Sequence, residues 1–244
     1  SAATAMSTGF KTDEGNLAWL PNDPPGGAMV SISDRLRAER GFAIGVVSTA
    51  PFSHATPAGF ASHNVDRFNY LDIAKEIAEV VKPDVVIGGG HPAWSNTTFT
   101  DAATLDGLRT STEYIFTERR ANVDGSVAIG AAAAEAVTKH KKLFGVFGGT
   151  DGSFDHQVPS HAPGSPSVAR GSLENPTLAA AAEAALTVLG ADPDGFFVMI
   201  EQGDIDWANH ANNYRDMIGS VADLDAAVAR VVELVDRPGN AIDW

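Results

Sequence analysis

The sequence predicts an α/β fold in which helices cover both faces of a mainly parallel sheet. Short, continuous apolar segments alternate along the chain with longer segments of helical periodicity. Uninterrupted apolar strands are typical of parallel sheets, because such strands are buried on both faces. Ligands of these sheets bind beyond the carboxyl ends of the strands. We therefore expect the functional residues where the predicted strands end.

Composition limits the function classes that the chain can serve. The 244 residues carry 17 basic and 31 acidic side chains, a formal net charge of −14, and 44% are hydrophobic. This balance is typical of a folded globular protein, and its negative charge disfavours nucleic-acid binding. No segment reaches the roughly 20 apolar residues that cross a bilayer. Without cysteine, disulfides and thiolate metal sites are excluded, so oxygen and imidazole groups must hold any metal.

The predicted elements alternate in the order that a parallel sheet requires. Strand-like segments lie at residues 42–48, 84–90, 143–148 and 195–200. Helix-like segments lie at residues 31–39, 57–67, 70–81, 126–139, 177–189 and 212–235. Residues 150–175 have no periodicity and predict a long surface loop. We expect one α/β domain over residues 1–244, truncated at both ends.

Three of these helices carry specific expectations. Thr56 is expected to cap the helix at 57–67, with Pro57 at its first position. The helix at 70–81 is expected to bury one face and to end at Lys82. That face is formed by Ile73, Ile77 and Val80. The last helix is expected to pack through an apolar stripe. That stripe is formed by Met217, Val221, Leu224, Val228, Val231 and Val235.

The densest polar cluster follows the strand that ends at Ile200. Asp206 and His210 are four residues apart, so on a helical turn they share one face. A carboxylate and an imidazole at that spacing can bind one zinc ion. Glu201 at the strand tip can reach a harder cation such as magnesium. The alternative is that Asp206 caps a helix and His210 is an ordinary surface residue.

A second cluster follows the strand at 42–48. It reads Ser48-Thr-Ala-Pro-Phe-Ser-His54-Ala-Thr56-Pro-Ala58, with Arg67 eleven residues after Thr56. Together with the pattern E-x-G-x-I-D-x-x-x-H, which the chain matches from Glu201 to His210, this sequence resembles the alkaline phosphatase family. The segments 3–12 and 84–90 resemble the same family in the same order. The resemblance extends over essentially all 244 residues.

The resemblance implies hydrolysis of phosphate monoesters with two zinc ions and one magnesium ion. It implies that Asp206 and His210 bind zinc and that Thr56 and Glu201 bind magnesium. Arg67 corresponds to the arginine that clamps phosphate, which suits a planar guanidinium. His54 falls near the magnesium and phosphate, where a role as a hydrogen-bond donor to other ligands is favoured over metal binding. Trp207 is expected beside the phosphate pocket.

The family's nucleophilic serine aligns two residues before Ser1, and a shorter loop would make Ser1 itself the nucleophile. The remaining zinc ligands match no residue of this chain, so we expect the isolated 244 residues to be inactive or poorly metallated and the parent protein to be a phosphomonoesterase. An inactive fragment is thus one alternative. A non-catalytic metal- or phosphate-binding protein and a related phosphodiesterase are the others. The resemblance also implies a periplasmic or secreted homodimer. The remaining histidines are expected on the surface or in loops: His63, His91, His140, His156 and His161.

Overall fold

The chain is described from a computed structural model that covers residues 1–154, 158–159, 168–237, 239 and 242. The strands are β1 (Ala43–Pro51), β2 (Val85–Gly89), β3 (Tyr114–Glu118), β4 (Lys142–Val146), β5 (Val158–Pro159), β6 (Val168–Ala169) and β7 (Phe196–Glu201). The helices are α1 (Ala2–Thr8), α2 (Ile32–Arg40), α3 (Ala55–Ala61), α4 (Tyr70–Lys75), which continues into a π-helical turn (Glu76–Val81), α5 (Ala102–Arg109), α6 (Gly125–Lys139), α7 (Leu178–Leu189), α8 (Asp204–His210) and α9 (Tyr214–Val235).

Five strands form one parallel sheet in the order β3-β4-β2-β1-β7. Side chains alternate between its faces, as the twofold repeat of a strand requires. On one face Val46, Val86 and Phe144 pack against α3, α4 and α5. On the other face Val47 and Ile87 pack against α6, α7 and α9. The predicted α/β fold with helices on both faces of a parallel sheet is confirmed.

The helix predicted at 57–67 is shorter and begins earlier. It is α3, whose N-cap is His54 and whose last residue is Ala61. Thr56 is therefore inside the first turn, and the expectation that it caps the helix is wrong. Pro57 is the third helical residue, where its missing N–H still costs no hydrogen bond. Ser62 ends the helix because its backbone is extended, which leaves residues 63–67 free to form a loop.

Two predicted apolar faces are only partly buried. Ile73 and Ile77 are fully buried, but Val80 is 73% exposed. The π-helical turn adds a residue to the turn and rotates Val80 away from the core. In α9, Val221 and Val228 of the predicted stripe face solvent, whereas Leu224 packs against the core. The buried side instead carries small residues, which allow close approach to α7: Gly219, Ser220, Asp223 and Ala227.

The surface loop predicted at 150–175 is also partly wrong. Gly152, Ser153 and Phe154 are buried, and Phe154 packs edge-on against Phe147. The backbone of β5 pairs with β6 in an antiparallel ladder. Sequence periodicity could not show this, because short segments that are buried by neighbouring strands carry no repeat of their own. His156 and His161 lie outside the described residues. Among those described, no helix combines the length and apolar character needed to cross a bilayer.

His63 lies in the loop after α3, one of the two placements expected for it, but it is half-buried. Its Nε2 lies 3.2 Å from Asp34 Oδ2, and its Nδ1 lies 3.3 Å from Glu76 Oε1. Burial disfavours its charge, but the two carboxylates outweigh burial and raise the pKa of His63 to about 9. Hydrogen bonds from His63 and Ser31 outweigh the burial of Asp34 and lower the pKa of that carboxyl to about 2. The imidazolium thus joins α2 to the start of the π-helical turn.

We expect this cluster to make stability depend on pH. A raised folded-state pKa gives stability that is complete below pH 6.5, the ordinary histidine value, and is lost as pH rises through about 9. His63→Gln should cost about 2 kcal/mol at pH 6 and much less at pH 9.5. Urea unfolding at both pH values measures this difference. Glu79→Gln, an exposed change on the same π-helical turn, is the control, and equal losses at both pH values would contradict the prediction.

Candidate functional site

The candidate site lies where β1 and β7 end side by side. The parallel register places Ser48 opposite Glu201, and the Ser48 hydroxyl donates a hydrogen bond of 2.6 Å to Glu201 Oε2. The Thr56 hydroxyl is a second hydrogen-bond partner of the same carboxylate. Burial raises the pKa of Glu201, although both hydroxyls oppose that shift. Three oxygen-bearing side chains from β1, α3 and β7 therefore meet at one point.

Arg67 enters this site from the loop after α3. Its backbone N–H donates to the Gly15 carbonyl at 2.8 Å, which fixes the loop independently of the side chain. The guanidinium Nη2 lies 3.5 Å from His54 Nε2, and its charge acts on Glu201. The buried Nε has no hydrogen-bond partner within the described structure. A buried cationic donor without an acceptor is the arrangement expected where an anion binds.

His54 lies between the arginine and the aromatic wall of the site. Burial, and then the charge of Arg67, lower the pKa of His54 to about 4. Its ring contacts Trp207 edge-on, with 5.4 Å between centroids, and also neighbours Tyr70 and Phe99. The imidazole is thus neutral at pH 7, and it can accept or donate one hydrogen bond at each nitrogen.

Asp206 and His210 share one face of α8, as their spacing predicts. Asp206 Oδ1 lies 3.5 Å from His210 Nε2, and both side chains are more than 70% exposed. The charge of Asp206 acts on both Glu201 and His54, so α8 belongs to the same site. Trp207, on the adjoining face, is half-buried against His54.

Ser1 lies within electrostatic range of Arg67. The Ser1 hydroxyl caps α1, where it accepts a hydrogen bond of 3.3 Å from the Thr4 amide, and it lies 3.1 Å from the Thr4 hydroxyl. The serine considered as a nucleophile therefore neighbours the arginine considered as the phosphate clamp.

The residues present fit two cation sites unequally. Thr56 and Glu201 supply the hard oxygens that magnesium prefers. Asp206 and His210 supply one carboxylate and one imidazole, which suit zinc but provide only two ligands. Among the described residues, no three His, Asp or Glu side chains converge in a way that could hold a metal ion. This chain therefore supplies partial ligand sets.

Sequence reasoning missed the part that Ser48 plays. Ser48 belongs to the polar cluster that follows the first predicted strand, but its bond to Glu201 depends on the pairing of β1 with β7, and the two residues are 153 apart in sequence. His91, expected on the surface or in a loop, lies in the loop after β2 but is buried. His91 is 5% exposed, and its Nε2 lies 3.1 Å from Glu118 Oε2, at the ends of other strands.

The comparison with protein families gives one decisive match. The model of the family described as alkaline phosphatase matches residues 1–242. The chain belongs to the alkaline phosphatase family. Alkaline phosphatase 3 of Bacillus subtilis is 30% identical over 247 residues, which cover 99% of this chain and 46% of that protein.

Solved alkaline phosphatases share the fold. The crystal structure from Thermus thermophilus has a TM-score of 0.72 at 27% identity and covers 97% of this chain and 44% of its own. A mutant of the TAB5 alkaline phosphatase, solved with Mg bound, has a TM-score of 0.67 at 25% identity over 98% of this chain and 60% of its own. The family and fold that the sequence resembled are thus confirmed. This alkaline phosphatase family chain spans about half the length of the curated relatives it matches.

Proposed function

We propose that this alkaline phosphatase family member takes part in hydrolysing phosphate monoesters at the site between β1 and β7. The observation that carries the proposal is the guanidinium of Arg67 beside the Glu201 oxygen cluster, whose buried Nε has no acceptor among the residues that the structure describes. A phosphoryl group supplies several oxygens, and a planar guanidinium can bind two of them at once. The family membership supports a phosphoric ester as the anion.

In this proposal Arg67 binds two oxygens of the phosphoryl group and offsets the charge that grows on them during transfer. Neutral His54 holds the guanidinium in place from the side that faces the aromatic wall. Trp207 covers the substrate's path from solvent. The attacking group is a serine hydroxyl: its oxygen forms a bond to phosphorus as the alcohol leaves, and water then releases inorganic phosphate. Ser1 is the candidate within this chain.

We also propose that Thr56 and Glu201 help to bind magnesium and that Asp206 and His210 help to bind zinc. When bound, such cations would stabilise the entering and leaving oxygens and lower the pKa of the attacking hydroxyl. A relative solved with Mg bound supports the magnesium part. Ser48 orients the Glu201 carboxylate through its 2.6 Å hydrogen bond. Periplasmic or secreted location and a homodimer stay predictions from the resemblance.

A second candidate is phosphate or metal binding without turnover. It is favoured by the finding that no three metal-ligating side chains converge among the described residues. The two candidates differ in one measurement: release of p-nitrophenol from p-nitrophenyl phosphate by the purified protein with added Zn²⁺ and Mg²⁺.

In the full-length protein we expect turnover of the monoester, loss of that turnover with a chelator, and much slower turnover of bis-p-nitrophenyl phosphate. Saturable binding of inorganic phosphate without any turnover would establish the binding protein instead. Faster cleavage of the diester than of the monoester would point to a phosphodiesterase. The absence of both phosphate binding and turnover would overturn the proposal.

A further inference from the structure

A buried chain of hydrogen bonds lies directly beneath α8 and is separate from the groups that face the site. The Thr49 hydroxyl donates to Gln202 Oε1 at 2.9 Å, and Gln202 Nε2 donates to Asp223 Oδ2 at 2.8 Å. Asp223 also accepts a hydrogen bond from the backbone of Leu178, the first residue of α7. We call Thr49, Gln202 and Asp223 the brace. All three are at most 6% exposed.

The brace satisfies the backbone at the start of α8. The Gly203 N–H donates to Thr49 Oγ1 and the Asp204 N–H donates to Gln202 Oε1, both at 2.9 Å. These N–H groups belong to the first turn of a helix and have no partner within it. The N-cap of α8 is Gly203, which offers no side chain for this purpose. The side chains of Thr49 and Gln202 therefore cap the start of α8.

The core alone does not fix the orientation of α8. The helix has seven residues, and only Asp204 and Ala208 among them are buried. Its site-facing side chains, Asp206 and His210, are largely exposed. A short helix with so little buried surface is stable only through contacts at its ends and with neighbouring elements. Gly203 also lies so close to β1 that a Cβ there would be 2.8 Å from Ala50 Cβ, so the turn before α8 is seated on β1.

We propose that Gln202 is a positioning residue. Through its hydrogen bonds with Thr49 and Asp223 it fixes the position of α8 relative to β1. It thereby sets the positions of Asp206 and His210 relative to Glu201. The inference rests on the proposed function for the role of these two side chains as metal ligands. Gln202 joins four elements, β1, α8, α9 and, through Asp223, α7, and it touches none of the site-facing groups on α8. Its effect on the site is therefore indirect.

The pattern of donors and acceptors allows a sharp test by reversal. Gln202→Glu alone sets two carboxylates against each other in a buried position, and Asp223→Asn alone gives Gln202 an amide partner in place of a carboxylate. The double variant Gln202→Glu/Asp223→Asn restores a donor opposite an acceptor, and still offers an oxygen to Thr49, to the Asp204 amide and to the Leu178 amide. We expect each single variant to loosen α8 and the double variant to recover it.

Hydrogen–deuterium exchange of the purified protein measures this directly. In Gln202→Glu we expect the amides of residues 203–210 to exchange at least about tenfold faster, with those of β1 and β2 unchanged, because local opening of α8 does not require unfolding of the sheet. Thr49→Val, which keeps the side-chain shape, should also speed exchange at residues 203–210. It provides a second test if Gln202→Glu fails to fold. Asp225→Asn, an exposed change on α9, is the matched control.

Zinc affinity, measured by calorimetry with Zn²⁺ alone, should fall about tenfold in Gln202→Glu and return in the double variant, as found for groups that orient metal ligands. Equal acceleration of exchange in the sheet and in α8 would overturn the inference, since the brace would then serve stability only. So would unchanged exchange at 203–210. Failure of the parent protein to bind Zn²⁺ or to hydrolyse esters would overturn the proposed function, while the exchange data would still decide the brace.

Discussion

Replacing Arg67 with alanine is expected to weaken the binding of inorganic phosphate by about 100-fold or more. The guanidinium is the cation beside the Glu201 cluster, and its buried Nε lacks an acceptor in the described structure. Hydrogen bonds between charged groups contribute about 1.5–3 kcal/mol each, so losing a two-point contact costs two such bonds. Calorimetric titration with phosphate measures the change.

Two further variants make the Arg67 prediction specific. Arg67→Lys keeps the charge but loses the planar pair of donors, so its phosphate affinity should fall between those of the parent and of Arg67→Ala. Arg35→Ala removes an exposed arginine that pairs with Glu39 on α2 and should leave affinity unchanged. The fold should tolerate Arg67→Ala, because the backbone bond to Gly15 does not involve the side chain. Equal phosphate affinity in all four proteins would remove Arg67 from the site.

Glu201→Gln is expected to change stability and metal binding in opposite directions. Burial raises the pKa of Glu201, which means that the carboxylate is held in an environment that disfavours its charge. A neutral amide of the same shape relieves that cost, so the free energy of unfolding without metal should rise by about 1 kcal/mol. Magnesium affinity should fall by about 100-fold, because magnesium is bound through carboxylates and the site loses its buried one.

Urea unfolding with a chelator and titration with Mg²⁺ measure the two effects of Glu201→Gln separately. Glu135→Gln, which changes an exposed carboxylate paired with Lys139 on α6, should alter neither quantity by more than about 0.5 kcal/mol. Lower stability together with unchanged magnesium affinity would mean that Glu201 serves only as a structural partner of Ser48.

The sheet and the motifs were predictable because their signals are local. Four of the five parallel strands appear as uninterrupted apolar runs, and the pair Asp206 and His210 follows from helical spacing alone. Strand β3 and helix α5 were missed because their signals are short. The α5 helix turns only Leu105 and Leu108 toward the core as large apolar residues, although Asp101 caps it through the Thr104 amide. That capping aspartate was the available signal.

What sequence could not show depends on long-range register. The bonds from Ser48 to Glu201 and from Thr49 to Gln202 join residues 153 apart, and they exist because β1 and β7 are neighbours although distant in sequence. The shift of the α3 cap from Thr56 to His54 follows from where β1 ends at Pro51, since the His54 amide turns back to the Pro51 carbonyl at 2.8 Å. Such contacts can be predicted only once the order of the strands in the sheet is known.

We expect one site, between the ends of β1 and β7, to bind both the divalent cations and the phosphate. An anomalous difference map at the zinc absorption edge, from crystals of the protein grown with Zn²⁺, Mg²⁺ and phosphate, tests it most directly. We predict a zinc peak within bonding distance of Asp206 and His210, and phosphate density against the Arg67 guanidinium. Zinc bound elsewhere on the chain, with no phosphate at Arg67, would contradict the account.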